Sequence, residues 1–139
     1  MQSEEVLRKD DNMKSVLLSL KPEWWEKIRS HEKTLEIRKS RPMDVELPVR
    51  VIVYVTKPVG KIVGEFLSGH FLRRSNVGGL AARSMVPLQE LIAYADGGEV
   101  FAWTIDDVVE YETPMALAAL GVKRALQSWM YVEVDELWP

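Results

Sequence analysis

"HEKTLEIRKSRP", residues 31 to 42, packs six charged side chains into twelve positions around two large aliphatics, Leu35 and Ile37. Read as a strand, its period-two alternation sends Leu35 and Ile37 to one face and Thr34, Glu36 and Arg38 to the other. One face then belongs to a core. The other is either solvated or the lining of a site, and the flanking sequence has to decide which.

Upstream, "SVLLSL" (Ser15 to Leu20) is an apolar strand that stops before Lys21 and Pro22. Pro22 suits the first turn of a helix, where its missing N–H is not needed, and Glu23 and Glu26 lie near the positive end of the helix dipole. Trp24, Trp25 and Ile28, at i, i+1 and i+4, are expected to form one apolar stripe facing a sheet, with Trp103 also in the core. Downstream, Pro42 ends the strand, and "VRVIVYVT" (Val49 to Thr56) reads as a central strand from its β-branched residues.

"KIVGEFLSGHFL" follows as one strand, with Glu65 in its interior on a face with Val63. Residues 69 to 85 read as a long loop or short helix. "PLQELIAYA" (Pro87 to Ala95) is a helix stopped by Asp96-Gly97-Gly98, and "EVFAWTIDDVVEY" is one long strand. "TPMALAALGVKRALQ" is a loop or short helical turn before the last strand, "SWMYVEV" (Ser128 to Val134). The expected class is α+β: a curled, mixed or antiparallel sheet of about six strands with two or three helices. Closure into a small barrel would protect its edges.

The length of 139 residues suits one domain with a real core. It is expected over residues 13 to 139, after a mobile leader at residues 1 to 12. Composition is 47% hydrophobic and 28% charged, with no run near the ~18 apolar residues of a membrane helix and no signal-peptide pattern. The lack of cysteine excludes disulfides and thiol nucleophiles, and leaves only His31 and His70 as imidazole ligands, so neither metal nor cofactor is expected. It also fits a cytoplasmic location.

Net charge is −3, unevenly spread. Between Lys57 and Arg83 there are five bases and one acid; between Asp96 and Glu112 there are six acids and no base. A local basic cleft can therefore coexist with an acidic total.

The ordered pieces "LLSLKPEWWEKIRSHEKTLEIRKSRP", "VIVYVTKPVGKIVGEF", "FAWTIDDVVEYETP" and "LQSWMYVE" resemble the ASCH domains of the PUA-like superfamily, in their short bacterial and phage form. The likeness spans about residues 14 to 134. Lys33, Glu36 and Arg38 match the family's Gly-x-Lys-x-x-Glu-x-Arg signature, with His31 where glycine usually stands. Gln127-Ser128-Trp129 matches its closing motif, although Leu126 replaces the usual proline. The resemblance implies a PUA-like pseudo-barrel with a cleft beside the signature strand, and an association with RNA or modified nucleosides. Some members of the superfamily are similar to plain RNA-binding domains, one branch is an amidohydrolase acting on N4-acetylcytidine, and nuclease activity is proposed for another. Glu36 stands where the amidohydrolase branch carries threonine, and "AARSMVP" offers no acid where that branch places its catalytic glutamate.

The candidate ligand-binding residues are Lys21, Lys33, Glu36, Arg38, Gln127, Ser128 and Trp129. Lys33 and Arg38 would contact phosphate or carbonyl oxygens, and Glu36 would orient them or accept from a base amino group. Lys21 follows Ser19 by two residues and could project into the same mouth. Gln127 and Ser128 would bond a base edge on which Trp129 stacks, unless Trp129 plugs the barrel end. As an enzyme, a small hydrolase or ribonuclease, the chain would use Lys33 with Glu36 or Glu65 as acid–base partners. Arg73, Arg74 and Arg83 would form a basic rim or a plain solvated surface.

Overall fold

The computed structural model describes residues 14 to 135 and 137 to 139. The expected leader lies outside the described residues. β1 (Lys14–Leu20), α1 (Pro22–Arg29), β2 (Leu35–Arg38), β3 (Val49–Val55), β4 (Lys61–Ser68) and β5 (Phe71–Arg74) come first. A 3-10 turn (Gly78–Leu80), α2 (Ala81–Ser84) and α3 (Leu88–Ala95) follow, then β6 (Val100–Thr104), β7 (Asp106–Met115), a second 3-10 turn (Leu117–Leu120) and β8 (Trp129–Glu133). Among the described residues, no helix is long and apolar enough to cross a membrane.

The architecture is α+β, as expected, but the eight strands form two sheets that do not close into a barrel. The larger sheet runs β7, β4, β3, β1, β8 and the smaller β2, β6, β5. β1 and β3 are parallel; every other pair is antiparallel.

The rise from six strands to eight has one cause. Each of the two long strands expected from sequence turns a corner and changes sheet. "KIVGEFLSGHFL" leaves the larger sheet at Ser68 and joins the smaller one at Phe71. "EVFAWTIDDVVEY" makes the opposite passage around Ile105, whose N–H donates to the Thr34 carbonyl instead of a ladder partner. The Thr104 hydroxyl pins the first corner by accepting from the N–H groups of Gly69 and His70, both at 3.1 Å.

Three apolar layers result. β3 is buried on both faces, with Val51, Val53 and Val55 turned to the core between the sheets and Ile52 and Tyr54 to a second core. The central core also takes Val16 and Leu18 from β1, Phe66 from β4, Trp103 from β6, and Trp25 and Ile28 from α1. The second core is covered by the 3-10 turn at Leu117 and by Trp138. Leu35 and Ile37 pack outside the smaller sheet, against Leu80 and Leu91 of the helical segment.

Two expectations are corrected here. A register shift between Ile62 and Gly64 puts Val63 in the central core, while Glu65 turns the other way, toward Tyr111. Trp24 is only half-buried: it packs against the same core beside Trp25 and Ile28, which carry the fully buried face of α1. Successive helical residues are about 100° apart, so one narrow stripe does not hold both tryptophans.

α1 docks where β4 has no side chain. A Cβ added at Gly64 would lie 2.4 Å from the Val109 carbonyl oxygen and 2.6 Å from the Trp25 ring. The expected result for Gly64→Ala is a loss of about 1–3 kcal/mol from overpacking, read as a lower urea midpoint. An unchanged midpoint would mean that the helix is not seated on this glycine.

Candidate functional site

The polar face of β2 turns inward. Glu36 lies opposite Trp103 in the ladder, so its carboxylate faces the gap between the sheets. It holds two cations there: Lys33 Nζ at 3.2 Å from one oxygen and Arg38 Nε at 2.8 Å from the other. The Lys33 side chain is 1% exposed, that of Glu36 8% and that of Arg38 16%, so this is no solvated surface pair.

Each cation also ties β2 to another element. Lys33 Nζ donates to the Ser84 carbonyl at 2.7 Å, at the end of α2, and lies 4.9 Å from the centroid of the Trp24 ring. Arg38 donates to the Ser19 carbonyl at 2.9 Å on β1, and reaches the Ser128 hydroxyl at 3.5 Å. Burial pushes the Lys33 amine below the ordinary lysine range, and the adjacent Glu36 carboxylate opposes that shift.

Around these charges is a cleft of about 530 Å³. Ser19, Lys21, Lys33, Glu36, Arg38 and Gln127 line it, which brings together most of the residues singled out from sequence. Trp24, Thr56, Glu90 and Tyr94 line it as well. Tyr94 lies on α3, whose only buried residue is Leu91, and Lys39 Nζ is 5.1 Å from its ring centroid. Burial raises the Tyr94 phenol above its ordinary range.

Sequence reasoning assigned no role to Trp24 as a wall or to Tyr94. The signal for Trp24 was its place one residue before a buried tryptophan; Tyr94 comes to the cleft only because the insertion between β5 and β6 folds back over β2.

Other candidates lie elsewhere. Trp129 packs edge-on against Trp103 and Tyr131, at 5.8 and 5.3 Å, and its Nε1–H donates to the Ser40 hydroxyl. It is not among the residues lining the cleft. Glu65 serves the second core: Arg50 pairs with it at 3.2 Å, and the Tyr111 hydroxyl donates to it at 2.6 Å. Tyr111 in turn accepts from Trp138 Nε1–H at 2.9 Å, and burial with the Glu65 bond raises its phenol strongly. Arg73 is paired with Glu99, and Arg83 bonds the Thr34 hydroxyl. Among the described residues, no cluster of His, Cys, Asp and Glu is placed to hold a metal ion.

Comparison with solved structures matches this arrangement to crystal structures of ASCH from Zymomonas mobilis. A serine-to-alanine variant of that protein is 25% identical, with a TM-score of 0.72 over 86% of this chain and 89% of its own. The fold is that of the ASCH domain family. The Zymomonas ASCH protein itself superposes with a TM-score of 0.72 at 24% identity, over 84% of this chain and 86% of its own. A tyrosine-to-phenylalanine variant gives 0.71 at 24%. No protein-family profile matches the chain, and no curated protein matches it. Within this fold, Lys33, Glu36 and Arg38 form one connected chain of charges.

Removing Glu36 leaves Lys33 and Arg38 without a counter-charge, although each keeps a bond to a backbone carbonyl. Glu36→Ala is expected to cost about 3–5 kcal/mol, whereas the apolar double replacement Lys33→Met with Glu36→Leu regains only the part due to Lys33, because Arg38 still lacks its carboxylate. Urea unfolding of both variants tests this; equal instability would show that the attraction, not the relief of burial, dominates.

The sign of the Lys33 pH effect also follows. With the folded pKa lowered, the unfolded state binds more protons across the window up to the ordinary value near ~10.4. Stability should therefore rise with pH in that window. Relative to Lys33→Met, the native chain gains between pH 7 and pH 10, and a constant difference would contradict the shift.

Proposed function

We propose that the cleft binds a nucleobase of RNA or of a modified nucleoside. The observation that carries this reading is that two aromatic rings, Trp24 and Tyr94, line the same cleft as the buried Lys33, Glu36 and Arg38. Bases are recognised outside a helix by stacking on such rings and by hydrogen bonds to their edges. A volume of about 530 Å³ accommodates one base and its sugar. The Gln127 amide supplies a donor and an acceptor at the cleft wall.

In this reading Glu36 and Lys33 chiefly hold one another. Their rigidity keeps the floor of the cleft in place, and Arg38, anchored by Glu36, presents its remaining N–H donors. Ser128 steadies Arg38, and Trp129 supports the closing strand from the core side. The family resemblance supports RNA as the partner, and the cysteine-free chain supports action in the cytoplasm.

The hydrolase or ribonuclease alternative draws on Lys33, whose amine is shifted toward neutrality beside Glu36. Glu65 has little part in it, because its oxygens are committed to Arg50 and Tyr111.

The experiment is a panel of short RNAs and modified nucleosides, scored for both binding and product. Trp24→Ala and Tyr94→Ala should each weaken binding by about 1–3 kcal/mol, the usual size of a base–aromatic stack, without loss of the folded state. Affinity that both variants retain would falsify the stacking role. Turnover abolished by Lys33→Met would replace the binding reading with the enzymatic one.

A further inference from the structure

α3 turns one defined side to the cleft. Glu90, Leu91 and Tyr94 line it, whereas Leu88, Gln89, Ile92 and Ala93 of the same helix do not. Glu90 and Tyr94 are four residues apart, so the carboxylate stands one helical turn from the aromatic ring on the same side. Leu91, 1% exposed, packs with Leu35 and Ile37 of β2 and thereby fixes which side of α3 that is.

The two carboxylates of the cleft are in opposite situations. Glu36 is buried and spent on Lys33 and Arg38. Glu90 is exposed at the cleft wall and, among the described residues, its side chain takes part in no ion pair and no hydrogen bond. It is the one charged acceptor there that is left for a ligand. The other uncommitted polar groups differ from it in kind: Lys21 and the remaining N–H groups of Arg38 only donate, and the Gln127 amide does both. Glu90 also lies in the first turn of α3, where a carboxylate gains from the helix dipole whatever the cleft contains. That gain is the same for every ligand, so selectivity between ligands separates the two roles.

We infer that Glu90 determines which base the cleft accepts: one with an exocyclic amino group, in preference to the counterpart that carries a carbonyl oxygen at the same position. This selectivity rests on the base-binding reading and adds base identity to it. An ionised carboxylate accepts hydrogen bonds and donates none. The amino groups of cytosine and adenine donate to it, whereas the matching carbonyl oxygen of uracil or hypoxanthine sets acceptor against acceptor. Gln127 can turn either end of its amide to a base edge and does not discriminate. Lys21 and Arg38 favour carbonyl oxygens, so the cleft without Glu90 tilts toward the oxo base.

The test titrates the full chain with two matched pairs, cytidine with uridine and adenosine with inosine, and follows backbone amide resonances. In any pair that binds, the amino member is expected to bind about tenfold more tightly, the size of one charge-assisted hydrogen bond. Glu90→Gln, whose amide can accept or donate, should bring that ratio to about one, and Glu90→Ala to about one or below. Both variants should bind the oxo members no less tightly than the native chain does. Because Glu90 is exposed, both are expected to keep the amide spectrum of the folded state.

Equal binding of the amino and oxo members overturns the selectivity while base binding stands. So does a preference for the amino base that Glu90→Gln and Glu90→Ala both keep. A chain that binds none of the four nucleosides overturns the base-binding reading, and the selectivity with it.

Discussion

One carboxylate holds the two sheets in register. Glu36 sits on β2, in the smaller sheet, and through Arg38 it reaches the Ser19 carbonyl on β1 of the larger. Through Lys33 it reaches the end of α2, and with it the helical segment that covers the outer face of β2. An ion pair exposed to water would contribute ~0–1 kcal/mol and fix little. Buried, the same charges cannot be left alone, so every element that supplies a partner is constrained to stay where the partner is needed.

That constraint explains why the cleft lies where it does. A closed barrel would join β2 to β8, the edge of the larger sheet, by backbone hydrogen bonds and leave no opening there. Here the strands turn corners at Gly69 and Ile105, and the passage from sheet to sheet on the β2 side is made by side chains. The cleft occupies this unclosed seam. Its floor is the seam's own fastening, and its outer wall is α3, packed over the outer face of β2 through Leu91 and Ala95.

The alternation of "LEIR" was legible because it obeys local geometry: Leu35 and Ile37 went to the apolar side, and Glu36 and Arg38 to the other. The α+β class was legible in the same way. What period-two reading could not show is which sheet a strand belongs to, because Gly69 and Ile105 interrupt a ladder without interrupting the pattern of apolar residues. Trp24 was misplaced by treating neighbours on a helix as one face. Tyr94 was missed for a different reason. Nothing local distinguishes it from the other apolar residues of α3; its position depends on contacts made across the chain by Leu91, Val86 and Ala95.

His31 shows how the signature divides between backbone and chemistry. It stands where the resembling family carries glycine, and its φ of 68° lies in the left-handed region that glycine enters without steric cost. The residue ends α1 by reversing the chain: its N–H donates to the Ile28 carbonyl, and the N–H groups of Glu32 and Lys33 both donate to the Lys27 carbonyl. This reversal delivers Lys33 to the seam. Histidine, one of the side chains enriched among left-handed residues, makes the same turn at some cost in strain. The glycine position is therefore a demand on φ, met here by another residue, while the Lys33, Glu36 and Arg38 positions are a demand on charge. The first tolerates substitution so long as the turn forms; the second does not tolerate the loss of one member alone, because each is the counter-charge of another.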